Sequence, residues 1–105
     1  MQKTINLDGE GVLVEMSADT LRVYRQTFGR DLLNDMLGMG DAIDMEVIEN
    51  LFYVCASAAD PEIPPMHEWL KNFSPLALYI GSTDILAMWN EENKTLSKRK
   101  KKPDQ

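Results

Sequence analysis

The pair Asp8-Gly9 stands between two short β-prone runs, and it restricts the possible folds more than any other feature of the chain. Ile5 and Leu7 alternate with polar residues before the pair, and the run 11–15 follows it. An Asp-Gly pair in this position is typical of a two-residue β-hairpin turn. Because a hairpin of two strands is barely stable alone in water, we expect it to pack on helices or to pair with another chain.

The segment after the hairpin carries the signals of two short helices. Ser17 is predicted to be the N-cap of the first helix, and Gly29 its C-cap residue. Apolar side chains recur between them at helical spacing, at Leu21, Tyr24 and Phe28. A second helix is predicted from the apolar residues Leu32, Leu33, Met36 and Leu37, with Gly38 and Gly40 after it.

Three further helices are predicted in the second half of the chain. Asp41 or Asp44 caps a helix that ends at Asp60-Pro61, since the residue before a proline avoids helical geometry. A short helix follows, and Ser74 caps the last one, which is predicted to run over 76–92. The predicted fold class is therefore α+β, mostly α: an N-terminal β-hairpin followed by about five helices in a small bundle.

The charge of the chain divides sharply along its length. Residues 1–93 contain 5 Lys and Arg against 16 Asp and Glu, a net charge of −11. Residues 94–105 contain 6 Lys and Arg against 1 Asp, a net charge of +5, and the two values add to the −6 of the whole chain. A chain of 105 residues suits one domain. We therefore predict a single globular domain over 1–93 and a basic, disordered C-terminal tail over 94–105.

No residue pattern in the chain predicts an active site. Cys55 and His67 are the only residues of their types, and together they are too few for the usual zinc ligand sets. Cys55 lies on an apolar helix stripe, which favours a buried structural thiol over a reactive thiolate, and His67 is interpreted as a surface residue. The acidic series Asp41-x-x-Asp44-x-Glu46 lacks the spacing of a calcium loop, so helix capping explains it better. We expect no enzyme activity, no metal and no cofactor.

The sequence also predicts where the protein works. A single Cys allows no intramolecular disulfide, which is typical of a reducing compartment. The N-terminus does not have the apolar run of a signal peptide. The longest apolar stretch, over 51–56, has 6 residues, whereas a membrane-spanning helix needs about 20. We expect a cytoplasmic protein without membrane association.

The last predicted helix carries apolar residues around much of its circumference. Such a helix is either central to the core or apolar on a second face that meets a partner. The 7 methionines of the chain likewise suit core filling or an adaptable binding surface. We predict that leftover apolar surface on this helix, with a neighbouring tryptophan, contacts partner proteins through Trp69, Leu78, Ile85, Met88 and Trp89.

The order of segments over residues 3–92 resembles one protein family. The hairpin precedes a helix end with the sequence Thr27-Phe28-Gly29-Arg30-Asp31-Leu32, which is the sharpest part of the match. An acidic helix over 44–56 follows, and then a Pro-broken linker with Glu68-Trp69-Leu70 on the next helix. This order is similar to that of the tail assembly chaperones of long, non-contractile-tailed phages and prophages of Gram-positive bacteria.

The resemblance implies a non-catalytic protein that is made in the host cytoplasm and is absent from the mature virion. Such chaperones bind the tape measure protein and keep it soluble while the tail tube protein polymerises around it. The resemblance also implies a homo-oligomer and a longer, frameshifted product. An A-rich slippery stretch would encode Lys100-Lys101-Lys102 here, and a plain basic tail is the alternative explanation.

The basic run over 98–102 leads to an alternative function. It suits either a nucleic-acid contact made by counterion release or a solvated tail. The tail has no aromatic residue for base stacking, and the acidic domain repels nucleic acid, so a solvated tail is favoured and we expect no nucleic-acid partner. The alternative is a small phage or prophage DNA-linked regulatory protein that uses this tail.

Overall fold

A two-stranded hairpin followed by five helices makes up the fold. The structure is a computed structural model that describes the backbone of residues 1–100 and the side chains of residues 1–94. The elements in chain order are β1 (Gln2–Leu7), β2 (Glu10–Glu15), α1 (Thr20–Phe28), α2 (Leu32–Met39), α3 (Met45–Ala59), α4 (Met66–Leu70) and α5 (Pro75–Lys100). The predicted fold class, α+β and mostly α, is confirmed.

The hairpin forms where the Asp-Gly pair predicts it. β1 and β2 are antiparallel, and Leu7 pairs with Glu10 across the two-residue turn. Asp8 and Gly9 both have positive φ, 57° and 82°, as the turn that matches strand twist requires. The side chain of Asn6 supports the turn, because its Oδ1 accepts a hydrogen bond from the Gly9 N–H at 2.8 Å.

The hairpin packs on helices, with α3 at the centre of the fold. α3 contacts β2, α1, α4 and α5, and α5 also contacts β1. Apolar side chains of every element meet in one core. Its largest fully buried members are Tyr24, Phe52, Ile5, Leu7, Met16, Leu32, Ile48, Leu51, Leu78, Ile85, Met88 and Val14.

Gly81 allows α5 to lie close to the hairpin and to α3. A Cβ atom at this position would be 2.7 Å from Cδ2 of Leu7 and 3.2 Å from Cζ of Phe52. From sequence alone, this glycine only weakens the middle of the helix, by about 1 kcal/mol relative to alanine. The structure gives the compensating benefit, which is close packing of three elements at one point.

Polar caps fix where the helices begin and end. Asp44 caps α3 by accepting from the Glu46 N–H at 3.0 Å, and Ser74 caps α5 by accepting from the Ala77 N–H at 3.0 Å. Gly29 ends α1 with φ 67°. These observations confirm the predicted caps of α3 and α5 and the predicted end of α1.

The predicted N-cap of α1 is wrong. Asp19 occupies the N-cap position and its side chain makes no capping hydrogen bond there. Ser17 instead stabilises the turn before the helix, since its Oγ accepts from the Asp19 N–H at 3.1 Å. The Ser17 N–H in turn donates to Oγ1 of Thr20 at 2.9 Å. These local hydrogen bonds stabilise a turn over residues 17–20, so α1 begins at Thr20 rather than directly after Ser17.

α5 continues to Lys100, beyond its predicted end at Glu92. Residues 94–100 are therefore helical in backbone, whereas the sequence predicted disorder from residue 94. The segment has no Gly or Pro, and four of its seven residues are Lys or Arg, which have high helix propensity. The remainder of the predicted tail, 101–105, lies outside the described residues.

Candidate protein-binding surfaces

Cys55 is buried in the core, where its thiol is unreactive. Its side chain has no exposed surface, and burial raises the pKa of the thiol to about 12. A thiol with such a pKa carries almost no thiolate at neutral pH. The prediction of a buried structural thiol is confirmed.

The described part of the chain contains no arrangement suited to metal binding. In that part, there is no group of three or more His, Cys, Asp or Glu side chains that could bind a metal ion together. His67 is exposed at the start of α4. Among the helices that the structure describes, none has the length and apolar character needed to cross a membrane.

The residues predicted to contact partners lie mostly inside the domain, and this corrects the prediction. Trp69, Leu78, Ile85 and Met88 are buried, and Trp89 is partly buried against the core. α5 lies along β1 and α3, so its side chains at positions 78, 85 and 88 fill the space between these elements. The apolar residues around α5 thus divide into an inner set that completes the core and an outer set.

The outer set lies on the first turns of α5. Leu76, Tyr79 and Ile80 are 65%, 53% and 64% exposed, respectively. Their spacing of three and four residues places them side by side on one helix face. We call these three residues the α5 strip. Beside it is a shallow depression of about 260 Å³, lined by Asn6, Asp8, Ser74, Leu76, Ala77 and Ile80.

The hairpin turn anchors the end of α5 that carries the strip. The Asp8 carboxylate accepts hydrogen bonds from the N–H of Ser74 at 2.9 Å and from its hydroxyl at 3.2 Å. The same Ser74 hydroxyl oxygen caps the helix. These bonds join residues 66 positions apart in sequence, so they tie the start of α5, which carries the strip, to the hairpin turn.

A second exposed apolar area lies on α2 and the loop after it. Leu37 is 79% exposed, and Leu33 and Ile43 are exposed as well. We call these residues the α2 patch. Leu32, which is fully buried, and Asp31, whose carboxylate accepts from the Leu33 N–H at 2.9 Å, fix the start of α2.

The α1–α2 junction contains the sequence that carries the family resemblance. Gly29 ends α1, Asp31 caps α2, and Arg30 between them forms two ion pairs. Arg30 donates from Nε and Nη2 to the two oxygens of Asp35, both at 2.9 Å, and from Nη1 to Glu46 at 2.9 Å. Gly29 and Asp31 thus mark the boundaries of α1 and α2, and Arg30 links α2 to α3.

Electrostatics reinforce this junction. The hydrogen bonds that Arg30 donates hold the pKa of the Asp35 carboxyl below its usual value. Tyr24 also donates to Asp35, at 2.8 Å, while burial raises the pKa of the tyrosine hydroxyl to about 12. Tyr24 is therefore a neutral donor and Asp35 a charged acceptor across the physiological pH range.

Sequence reasoning missed the α5 strip although its signal was present. The strip belongs to an uninterrupted apolar run, 76–80. Opposite sides of the helix within that run supply the core at Ala77 and Leu78 and the surface at Leu76, Tyr79 and Ile80. Only the position of β1 and α3 decides which side is buried, and the periodicity of α5 alone does not contain that information.

Comparison with protein-family models, with characterised proteins and with solved structures finds no significant match to this chain.

Proposed function

We propose that this protein is a non-catalytic phage tail assembly chaperone, which binds the tape measure protein and keeps it soluble while the tail tube protein assembles. The α5 strip is the contact surface in this proposal, replacing the enclosed residues predicted from sequence. The proposed setting is the host cytoplasm, and the protein does not enter the mature virion. The observation that carries the proposal is the exposure of Leu76, Tyr79 and Ile80 together on an anchored helix.

The spacing of the strip suits recognition of a helical segment. Helix-in-groove interactions use apolar anchors at spacings of three and four residues, as in this strip. Tyr79 adds a large side chain with few rotatable bonds and a polar tip, which is common at protein interfaces. The depression beside Leu76 and Ile80 offers space for one or two apolar side chains of a client. These features support binding of a long helical protein such as a tape measure protein.

Charge supports the same proposal. Residues 1–93 have a net charge of −11, which keeps a complex soluble by mutual repulsion and disfavours DNA. Asp84 follows Ile80 by four residues and is exposed on the same helix face. A client helix with apolar residues on one side and Lys or Arg at the margin is therefore the best match. The resemblance of the segment order over residues 3–92 to tail assembly chaperones is the reason that a tape measure protein is proposed as the client.

Co-expression with a tape measure protein tests the proposal. Ile80→Glu places a charge in the centre of the strip without touching the core, and we expect most of the client to become insoluble. Leu37→Glu in the α2 patch is the matched control, since it adds the same charge at another exposed apolar residue. Loss of client solubility with Leu37→Glu but not with Ile80→Glu would contradict the assignment of the strip.

A further inference from the structure

A cleft runs beside the free edge of β2 and is separate from the α5 strip. Its volume is about 480 Å³. It is lined by Glu10, Gly11, Val12, Leu13, Ala56, Asp60, Ile63, Trp69, Asn72 and Phe73. β1 occupies the other side of β2, so the cleft lies between the open edge of the sheet and α4. We call it the β2 cleft.

The edge of β2 directs unpaired backbone groups toward this cleft. Met1 and Met16 exchange two backbone hydrogen bonds of 2.8 Å, so they form a hydrogen-bonded pair of the antiparallel ladder. This pair shows which residues of β2 bond to β1 and which do not. Hydrogen-bonded pairs alternate with other pairs along an antiparallel ladder, so the backbone N–H and C=O groups of Gly11, Leu13 and Glu15 point away from β1. Neither a proline nor a lysine, the residues that commonly protect such edges, occurs in β2.

The side chains of the cleft define what it can accept. Its apolar part includes Ile63, Trp69 and Phe73, with the two aromatic rings edge to face at a centroid distance of 4.9 Å. Glu10 and Asp60 are its acidic members, and none of the described residues that line it is Lys or Arg. An occupant that satisfies both features has apolar side chains toward α3 and α4 and positive charges near its ends.

We propose that the β2 cleft binds an extended segment of a partner protein, which adds to β2 as a third, antiparallel strand. The segment has apolar residues at alternate positions and Lys or Arg at its ends. Backbone hydrogen bonds to Gly11 and Leu13 hold it, and its apolar side chains enter the cleft. This mode of binding, strand addition, differs from side-chain recognition of a helix on the α5 strip, so it goes beyond the proposed function.

A single extended chain is a better occupant than a second copy of the protein. α4 bounds the cleft opposite β2, and an added strand needs only about 4.8 Å of width. A second copy would bring another domain with a net charge of −11 over residues 1–93 against the first, and the two would repel each other. Charge complementarity instead favours a basic segment.

A designed peptide provides the test. The probe is the acetylated and amidated heptapeptide Lys-Val-Thr-Val-Thr-Val-Lys, added to the full chain carrying Trp89→Phe, so that Trp69 is its sole tryptophan. We expect saturable binding that changes the fluorescence of Trp69 and shifts the amide signals of Gly11 and Leu13. Replacing both terminal Lys of the probe by Glu should weaken binding by about tenfold, the usual value of two exposed charge pairs.

Two methylated versions of the probe separate strand addition from simple apolar contact. In the bound probe, the residues that pair with Gly11 and Leu13 have their side chains on the solvent face of the sheet. The threonines of the probe occupy these positions, and its valines face the cleft. N-methylation of both Thr should therefore reduce binding by more than about tenfold, because it removes hydrogen bonds to β2. N-methylation of two Val should change it little. Equal affinities of the two methylated peptides, or no binding of the parent probe at millimolar concentration, would overturn the proposal.

Discussion

The two faces of α5 lie in different environments although both are apolar. The inner face, with Leu78, Ile85 and Met88, is enclosed by β1 and α3, whereas the outer face presents the α5 strip to solvent. Burial of the inner face stabilises the fold through the hydrophobic effect, and exposure of the outer face contributes nothing to it. An apolar side chain on this helix therefore stabilises the fold or remains exposed to solvent according to the face on which it lies.

The same substitution on the two faces gives the largest expected contrast. Ile85→Ala removes a fully buried side chain, and we expect a loss of about 2–5 kcal/mol in the free energy of unfolding. Ile80→Ala removes a largely exposed side chain, and we expect a change within about 0.5 kcal/mol. Denaturant unfolding of both variants measures the contrast. Equal losses would mean that the two faces are not distinct in solution.

Gly81 sharpens the comparison because it determines how closely the inner face approaches its neighbours. Gly81→Ala should destabilise the fold by about 1–3 kcal/mol, since the added methyl group overlaps Leu7 and presses on Phe52. Gly38→Ala is the matched control, because its Cβ in α2 would meet no atom within 4 Å. Helix propensity alone predicts that Gly38→Ala stabilises by about 1 kcal/mol. Thermal unfolding that ranks the two variants in the opposite order would contradict the packing described here.

A substitution at the α1–α2 junction should have a smaller effect on the free energy of unfolding, and this effect should depend on pH. The folded-state pKa of Asp35 is lowered, chiefly by hydrogen bonds from Arg30, so its stabilising contribution is present above the unfolded pKa of about 4 and is lost as pH falls through the folded value. Asp35→Asn should therefore cost about 1–2 kcal/mol at pH 7. The difference from wild type should shrink below about pH 4.

Chemical unfolding of wild type and Asp35→Asn at several pH values measures this dependence. Asp41→Asn, at an exposed position in the α2–α3 loop, controls for the general loss of a negative charge. A difference between Asp35→Asn and wild type that stays constant from pH 7 to pH 3 would show that the Arg30–Asp35 pair does not contribute as described.

The smallest effect concerns the basic C-terminal segment and the alternative of a DNA-linked regulator. We expect the full chain to bind DNA weakly at low salt and negligibly at physiological salt, because the net charge of −11 over residues 1–93 opposes it. Deletion of residues 94–105 should abolish even the weak binding. Tight binding that persists at physiological salt would favour the regulator over the chaperone.

Much of the fold follows from local sequence signals. The pair Asp8-Gly9 predicts the hairpin, and Gly29, Asp44 and Ser74 predict helix boundaries, because each acts on the backbone within a few residues of itself. Ser17 shows the limit of such signals, since a hydroxyl can cap a helix or stabilise the turn before it.

The candidate binding surface depends on information that local sequence does not contain. The apolar residues of α5 surround the helix, so periodicity could not decide between Leu78 and Ile80 as the exposed residue. The reason that residue 81 is a glycine likewise appears only when Leu7 and Phe52 are brought against it. Both depend on contacts between residues far apart in the chain.

The dissociation constant of the complex with a purified tape measure protein, determined for wild type and for Ile80→Ala, tests the division of α5 most directly. Because Ile80→Ala leaves the core intact, a change in affinity reports on binding alone. We predict binding at least about tenfold weaker, the effect of losing an interface anchor worth more than 1 kcal/mol. An unchanged dissociation constant, with unchanged stability, would contradict the account.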